Sequence, residues 1–215
     1  MRLQRSSGLV GHWKFDEKSG LILNDSSRYK NTGTITQGAG KWTDKGYYFD
    51  GAATYVDAGG DASVTSITND MTIMYWINTS NLSTPRTPVS TRTGKNDFTV
   101  PYHFIFSSTI SAFLLGNGAA QFYAQGPNIP LNTIIFVSGV VSGTNIKLYI
   151  NSKLQPTEAT FIGTRQTGTK LTIGAADATG TRLFMGWINE VRIYNCALTA
   201  NEIKRYYNST KHKYI

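Results

Sequence analysis

"FMGWINEVRIYNCALTANEI", Phe184 to Ile203, is the stretch that decides the fold. It reads as a buried strand followed by a short helix. Thr199 and Glu202 have capping-box spacing: the Thr199 hydroxyl accepts from the Glu202 amide, and the Glu202 carboxylate reaches back to the Thr199 amide. Leu198 and Ile203 then pin that turn to the body of the protein as a hydrophobic staple. Two polar residues, Asn189 and Glu190, interrupt the apolar strand in its middle. A buried strand tolerates such residues only where they meet polar partners, so the question is what this strand closes onto.

The rest of the chain repeats the strand pattern. "LVGHWKF" (Leu9–Phe15) is a first strand, and "DSSRYKNTGT" (Asp25–Thr34) is a polar turn region. "GYYFDG" and "TYVDAG" read as two short strands with Asp50 and Gly51 as their turn. "MTIMYWIN" (Met71–Asn78) is apolar on both faces, which places it mid-sheet under a covering layer. From Thr79 to Pro101 the chain is polar and broken by Pro85, Pro88 and Gly94, which predicts a long loop. "HFIFS", "ISAFLL", "AQFYA" and "TIIFVSGVV" follow, then the "SGTN" turn (Ser142–Asn145) and "IKLYI". In "IKLYI" the alternation turns Ile146, Leu148 and Ile150 inward and Lys147 and Tyr149 outward. About a dozen short strands at roughly 8–12-residue spacing, with helix only at "LTANEI", predict an all-β, antiparallel two-sheet β-sandwich. The expected division is an N-terminal extension (1–8), one sandwich (9–207) and a basic C-terminal tail (208–215).

Bulk composition agrees. The chain has 215 residues, 40% hydrophobic, 16% charged and 12% aromatic, which describes a globular β-rich domain. The formal net charge is +8. A basic balance suits an acidic polysaccharide, an acidic protein surface or nucleic acid. No RNP aromatic signature, zinc-finger spacing or helix-turn-helix pattern is present, so no specific nucleic-acid partner is expected. The one cysteine, Cys196, excludes an intramolecular disulfide. No apolar run is long enough to cross a membrane or to act as an export signal, so the expected site of synthesis is a reducing cytoplasm, without membrane insertion.

The segments, in this order, resemble the laminin-G-like jelly-roll domains of the concanavalin A-like lectin/glucanase superfamily. The resemblance rests on "GLVGHWKFDEKSG", "NDSSRYKNTG", "YYFDGAATYVDAG", "MTIMYWIN", "NIKLYINSKL", "LTIGAAD" and "GWINEVRIYNCALTANEI", and covers Gly8 to roughly Tyr207. The family usually has Asp-Gly where this chain has Asn151-Ser152. The resemblance implies that the first and last strands pair side by side, which brings Asn189 and Glu190 toward Asp16 and Glu17. It also implies one structural Ca²⁺ there, with Asp16, Asn189, Glu190 and Asp25 as oxygen ligands. The alternative is a hydrogen-bonded polar patch in which Glu190 pairs with Arg192 or Lys14, and Asp25 serves an Asx-turn.

The superfamily also houses glycoside hydrolases, whose chemistry needs two carboxylates facing one glycosidic bond. Their Glu-x-Asp-x-x-Glu string is absent here, and His12, His103 and His212 lack metal-ligand spacing. The expectation is therefore a non-catalytic binding protein. Trp42, Tyr47, Tyr123 and Tyr149 are the candidate aromatic platforms for a sugar face, and Arg86, Arg92 and Lys95 the candidate contacts for acidic groups. The function expected is a carbohydrate-binding or adhesion module, with a virion surface as its setting. Its partners would be a glycan or polysaccharide, capsid or tail proteins, or further copies of itself. A purely structural assembly protein and a divergent glycoside hydrolase or lyase are the alternatives.

Overall fold

A computed structural model describes residues 7–92 and 97–215. The described residues form two antiparallel sheets, and the last strand, Met185–Tyr194, lies in the middle of the first. In that nine-stranded sheet the order is Lys153–Leu154, Asn145–Ile150, Ile134–Ser142, Met71–Thr79, Met185–Tyr194, Gly46–Asp50, Lys41–Thr43. Ala159–Thr160 adds to Asn145–Ile150. The first strand, Leu9–Trp13, lies against the second half of Met185–Tyr194, with Leu9 opposite Tyr194 and Trp13 opposite Val191. The expected pairing of first and last strands is thus present.

The polar interruption is a β-bulge. Against Met71–Thr79, Ile188 faces Ile77 and Glu190 faces Trp76, so Asn189 is an extra residue. In a regular strand Ile188 and Glu190 would share a face, because side chains alternate with period two. The extra residue resets that phase. Ile188, Val191 and Ile193 all enter the core between the sheets, while Glu190, Arg192 and Tyr194 reach the outer face.

The eight-stranded second sheet has the order Gln121–Pro127, Ile110–Gly116, His103–Phe106, Val89–Ser90, Thr172–Ile173, Val56–Asp57, Gly33–Ile35, Ile22–Leu23. The sheets meet through rings: Tyr75 sits edge-on to Phe104 at 4.9 Å between centroids, and Phe104 stacks on Phe113 at 4.6 Å. A Cβ on Gly139 would approach both phenylalanine rings to 2.7 Å, so only glycine lets the layers close there.

Two expectations are corrected in this sheet. Val89–Ser90, inside the expected loop, is a central strand, and Thr87 to Arg92 are buried. Two residues directly after Pro88 are too short to show alternation. The Asp50–Gly51 turn is not a hairpin either: Gly46–Asp50 belongs to the first sheet and Val56–Asp57 to the second. The chain changes layer there, held by the Asp50 carboxylate, which accepts from the amides of Ala52, Ala53, Thr54 and Ala39. Burial raises the Asp50 carboxyl, but these donors outweigh it and hold it well below its ordinary range.

The outer face of the first sheet is covered by a helix, α1 (Ala200–Thr210), which follows a shorter one-turn helix at Ala62–Thr65. The capping box is present as expected: Thr199 accepts from the Glu202 amide at 3.3 Å, and Glu202 accepts from the Thr199 amide at 2.9 Å. The helix hides Met74, Trp76, Phe136, Val140 and Tyr149. Tyr207 stacks on Trp76 at 5.6 Å. A 3₁₀ turn, Lys211–Lys213, brings Tyr214 back to 5.0 Å from the same indole. Residues 208–215 therefore continue a packed segment rather than a free tail.

Candidate functional site

A cavity of about 570 Å³ opens at the bulge, on the outer face of the first sheet. Four stretches of chain wall it: His12–Lys18, the turn Thr43–Gly46, the bulge with Arg192, and Lys213–Tyr214, with Ile134 as an apolar contact. Phe15 (φ 56°) and Lys18 (φ 64°) lie in the left-handed region that β-carbon sterics disfavour. That bend sends the Phe15 ring into the core, 6.1 Å from Phe49, and leaves Lys14 and Asp16 exposed at the cavity.

The floor is a closed network around Glu190. Its Oε1 accepts from His12 Nε2 at 2.6 Å and Arg192 Nε at 2.7 Å. Its Oε2 accepts from the Tyr206 hydroxyl at 2.6 Å and the Tyr214 hydroxyl at 3.2 Å. An ionised carboxylate only accepts, so His12 carries its proton on Nε2. Burial by itself raises the Glu190 carboxyl, but the His12 hydrogen bond, the Arg192 charge and the Tyr206 hydroxyl together hold it at about 2. Beside it, Asn189 Nδ2 donates to the Lys45 carbonyl, which ties the bulge to the Thr43–Gly46 turn, and Asn189 Oδ1 is buried without a partner among the described residues.

The rim is different. Lys14, Lys18, Lys45 and Lys213 are exposed, and none makes an ion pair among the described residues. Lys45 rests 6.0 Å over the Trp187 ring. Asp16 and Asp44 are the exposed carboxylates of the same rim. Because Arg192 neutralises Glu190, four lysines face two aspartates.

Of the residues expected to form a metal site, Asp16, Asn189 and Glu190 meet at this cavity. Asp25 does not; its oxygens accept from the amides of His12, Ser27 and Asn31 and from the Ser27 hydroxyl, at 2.7–2.8 Å. The expected ligand platforms scatter. Tyr47 is 4% exposed within the core and Tyr149 is 6% exposed under α1, so neither presents a surface ring. Tyr149 does point outward, as its alternation predicts, but the helix lies over it. Trp42 is half-buried on an edge strand and donates to the Gly20 carbonyl. Tyr123 is exposed on the edge strand of the other sheet. Arg86 ties loops together by donating to the Leu183 and Gly51 carbonyls. Arg92 is buried. Lys95 lies outside the described residues. Lys18 and Lys45 carry no signal in the sequence, and Lys213 shows there only as part of the basic tail, because the three come from segments far apart in the chain.

Comparison with known proteins places this architecture. A laminin-G model of the concanavalin A-like lectin/glucanases superfamily matches residues 49–204. The chain belongs to that superfamily. At the level of sequence no curated protein matches this concanavalin A-like chain. Its fold is similar to solved structures of botulinum neurotoxin binding domains. One is the type C domain, described with cell entry dependent on two ganglioside molecules (TM-score 0.73, 15% identity, 94% of this chain and 51% of that one). Another is the C/D mosaic receptor-binding domain (TM-score 0.75, 13% identity, 95% and 52%). A third is the DC domain in complex with rat synaptotagmin II (TM-score 0.73, 15% identity, 96% and 52%). The chain spans about half the length of these structures.

For a concanavalin A-like domain the implied calcium can be tested against the donors. Glu190 already takes four hydrogen bonds and Asp25 another four, which leaves Asp16 as the only carboxylate of that set with free oxygens. Among the described residues no three His, Cys, Asp or Glu side chains cluster as metal ligands. A Ca²⁺ needs six to eight oxygens, so the residues as placed do not fit one. The Arg192 guanidinium supplies the countercharge to Glu190 instead.

Proposed function

We propose that this concanavalin A-like domain is a non-catalytic carbohydrate-binding module, and that its ligand enters the cavity at the bulge. The observation that carries the reading is the make-up of that cavity. Ammonium groups without an ion pair among the described residues, exposed carboxylates, the Thr43 side chain and the apolar Ile134 stand on a floor fixed by the Glu190 network. Sugar recognition needs such a pre-formed mixture of polar groups around some apolar surface. Support also comes from the fold's likeness to domains described with ganglioside and SialylT, although those chains are about twice as long.

The binding reading is favoured over hydrolysis by Glu190. A glycosidase acid needs a raised pKa so that it holds its proton near neutrality. Glu190 is displaced the other way and is saturated with donors. On a virion surface, beside capsid or tail proteins, such a module would serve attachment to host glycans.

The test is a glycan array probed with the full chain, run with calcium and with a chelator. Specific binding that survives the chelator is expected. A folded protein that binds no glycan would overturn the reading.

A further inference from the structure

We infer that the cavity at the bulge takes an acidic saccharide, a glycan chain carrying carboxylate or sulfate groups, held by Lys14, Lys18, Lys45 and Lys213. This rests on the binding reading above and names its ligand class.

The charge at the site is arranged rather than merely abundant. The lysines arrive from the end of the first strand, the bend after it, the Thr43–Gly46 turn and the C-terminal 3₁₀ turn. They converge on one opening, and none is neutralised by a carboxylate among the described residues. Like charges gathered this way repel one another, and a bound anion relieves that cost. Elsewhere on the surface Lys147 and Lys170 do have acidic partners, Glu158 and Asp57.

The remaining groups narrow the anion. Asp16 and Asp44 accept hydrogen bonds but repel a compact anion such as phosphate. A saccharide carries hydroxyl donors beside its acidic groups, so it can satisfy those carboxylates while its anionic groups meet the lysines. A neutral glycan would leave the ammonium groups unmatched, and a DNA strand offers no comparable run of hydroxyl donors to the aspartates.

Two of the groups that frame the opening, Lys213 and Tyr214, lie in the last three residues of the chain. Tyr214 is fixed there by Glu190 and Trp76. That part of the rim therefore depends on the docked C-terminal turn.

Titration calorimetry on the full chain would test this with four probes of equal length at two salt concentrations. The probes are a sulfated oligosaccharide, a uronate oligosaccharide, a neutral β-glucan oligosaccharide and a single-stranded oligonucleotide. One or both acidic saccharides should bind, more weakly at high salt. The double variant Lys45→Ala/Lys213→Ala should weaken that binding by about tenfold or more, since a hydrogen bond to a charged group contributes more than a neutral one. Lys45→Arg/Lys213→Arg should restore most of it, and Lys153→Ala, on the far hairpin, should leave it unchanged. The lysines are exposed, so these variants fold, which near-ultraviolet circular dichroism verifies. Unchanged acidic-glycan binding in the double variant would move the site elsewhere and overturn the inference. Equal binding of the oligonucleotide would reduce it to general polyanion attraction. Neutral glycan binding that ignores the lysines would overturn the inference and leave the carbohydrate-binding reading standing. Failure of every saccharide would sink both.

Discussion

Arg192 Nε donates to Glu190 Oε1 at 2.7 Å from two positions along the same strand, and the two side chains are only 10% and 8% exposed. The bulge at Asn189 puts both on the outer face, where α1 and Tyr214 close over them. Removing one partner of such a pair strands the other charge in a desolvated place. Glu190→Gln should therefore destabilise the protein by about 3 kcal/mol in urea unfolding. Glu190→Leu/Arg192→Leu should lie closer to the parent than Glu190→Gln does. A Glu190→Gln loss indistinguishable from that of an exposed control would show that the network does not hold the C-terminal segment.

The same carboxylate sets an acid limit. Glu190 moves from 4.5 in the unfolded chain to about 2 in the folded one. The folded value is the lower, so the stability it contributes is complete above the unfolded value and is lost as pH falls through the folded one. The loss is on the order of 3 kcal/mol between those limits. Asp50 is lowered too and adds in the same direction. The melting temperature should stay level above about pH 5 and fall steeply below 4.5. Glu190→Gln should fall less steeply over that window. Parallel curves for the two proteins would assign the acid limit to other groups.

Asn151 (φ 49°) and Ser152 (φ 62°) form the two-residue loop between Asn145–Ile150 and Lys153–Leu154. Hairpin loops of this kind favour Asn-Gly, because both residues need positive φ. Asn151 tolerates that conformation and its Oδ1 accepts from the Phe136 amide, but serine there is strained. Ser152→Gly should stabilise the protein by about 1 kcal/mol, read as a higher urea midpoint at unchanged slope. A lower midpoint would refute the strain.

Tyr207 stacks on Trp76 and contacts Phe136. Tyr207→Ala should loosen α1 from the sheet at a cost of roughly 3 kcal/mol. It should also change the near-ultraviolet dichroism of Trp76 and expose apolar surface to a dye such as ANS. An unchanged tryptophan signal would mean that the helix is held without this stack.

Features with a local cause were legible in the sequence. Thr199 and Glu202 announce the helix by their spacing, and Met71–Asn78 announces a covered outer face by being apolar on both sides. The Asn189–Glu190 interruption was visible as an anomaly, but its geometry was not. A bulge is a phase relation between strands, and it shows only once Ile77 and Trp76 are set against Ile188 and Glu190. Val89–Ser90 stayed hidden because two residues show no period. Tyr149 points outward but lies under α1, because alternation gives a direction and not what lies in that direction, whereas Tyr47 shares its face with Phe49 and enters the core. The four lysines of the rim come from segments up to about two hundred residues apart, so only the folded chain collects them.

The most direct test of the central claim is a glycan array probed side by side with the parent protein and the Lys45→Ala/Lys213→Ala variant. The account predicts selective signals on acidic glycans for the parent and their loss in the variant. Binding to no glycan by a folded parent protein would contradict it.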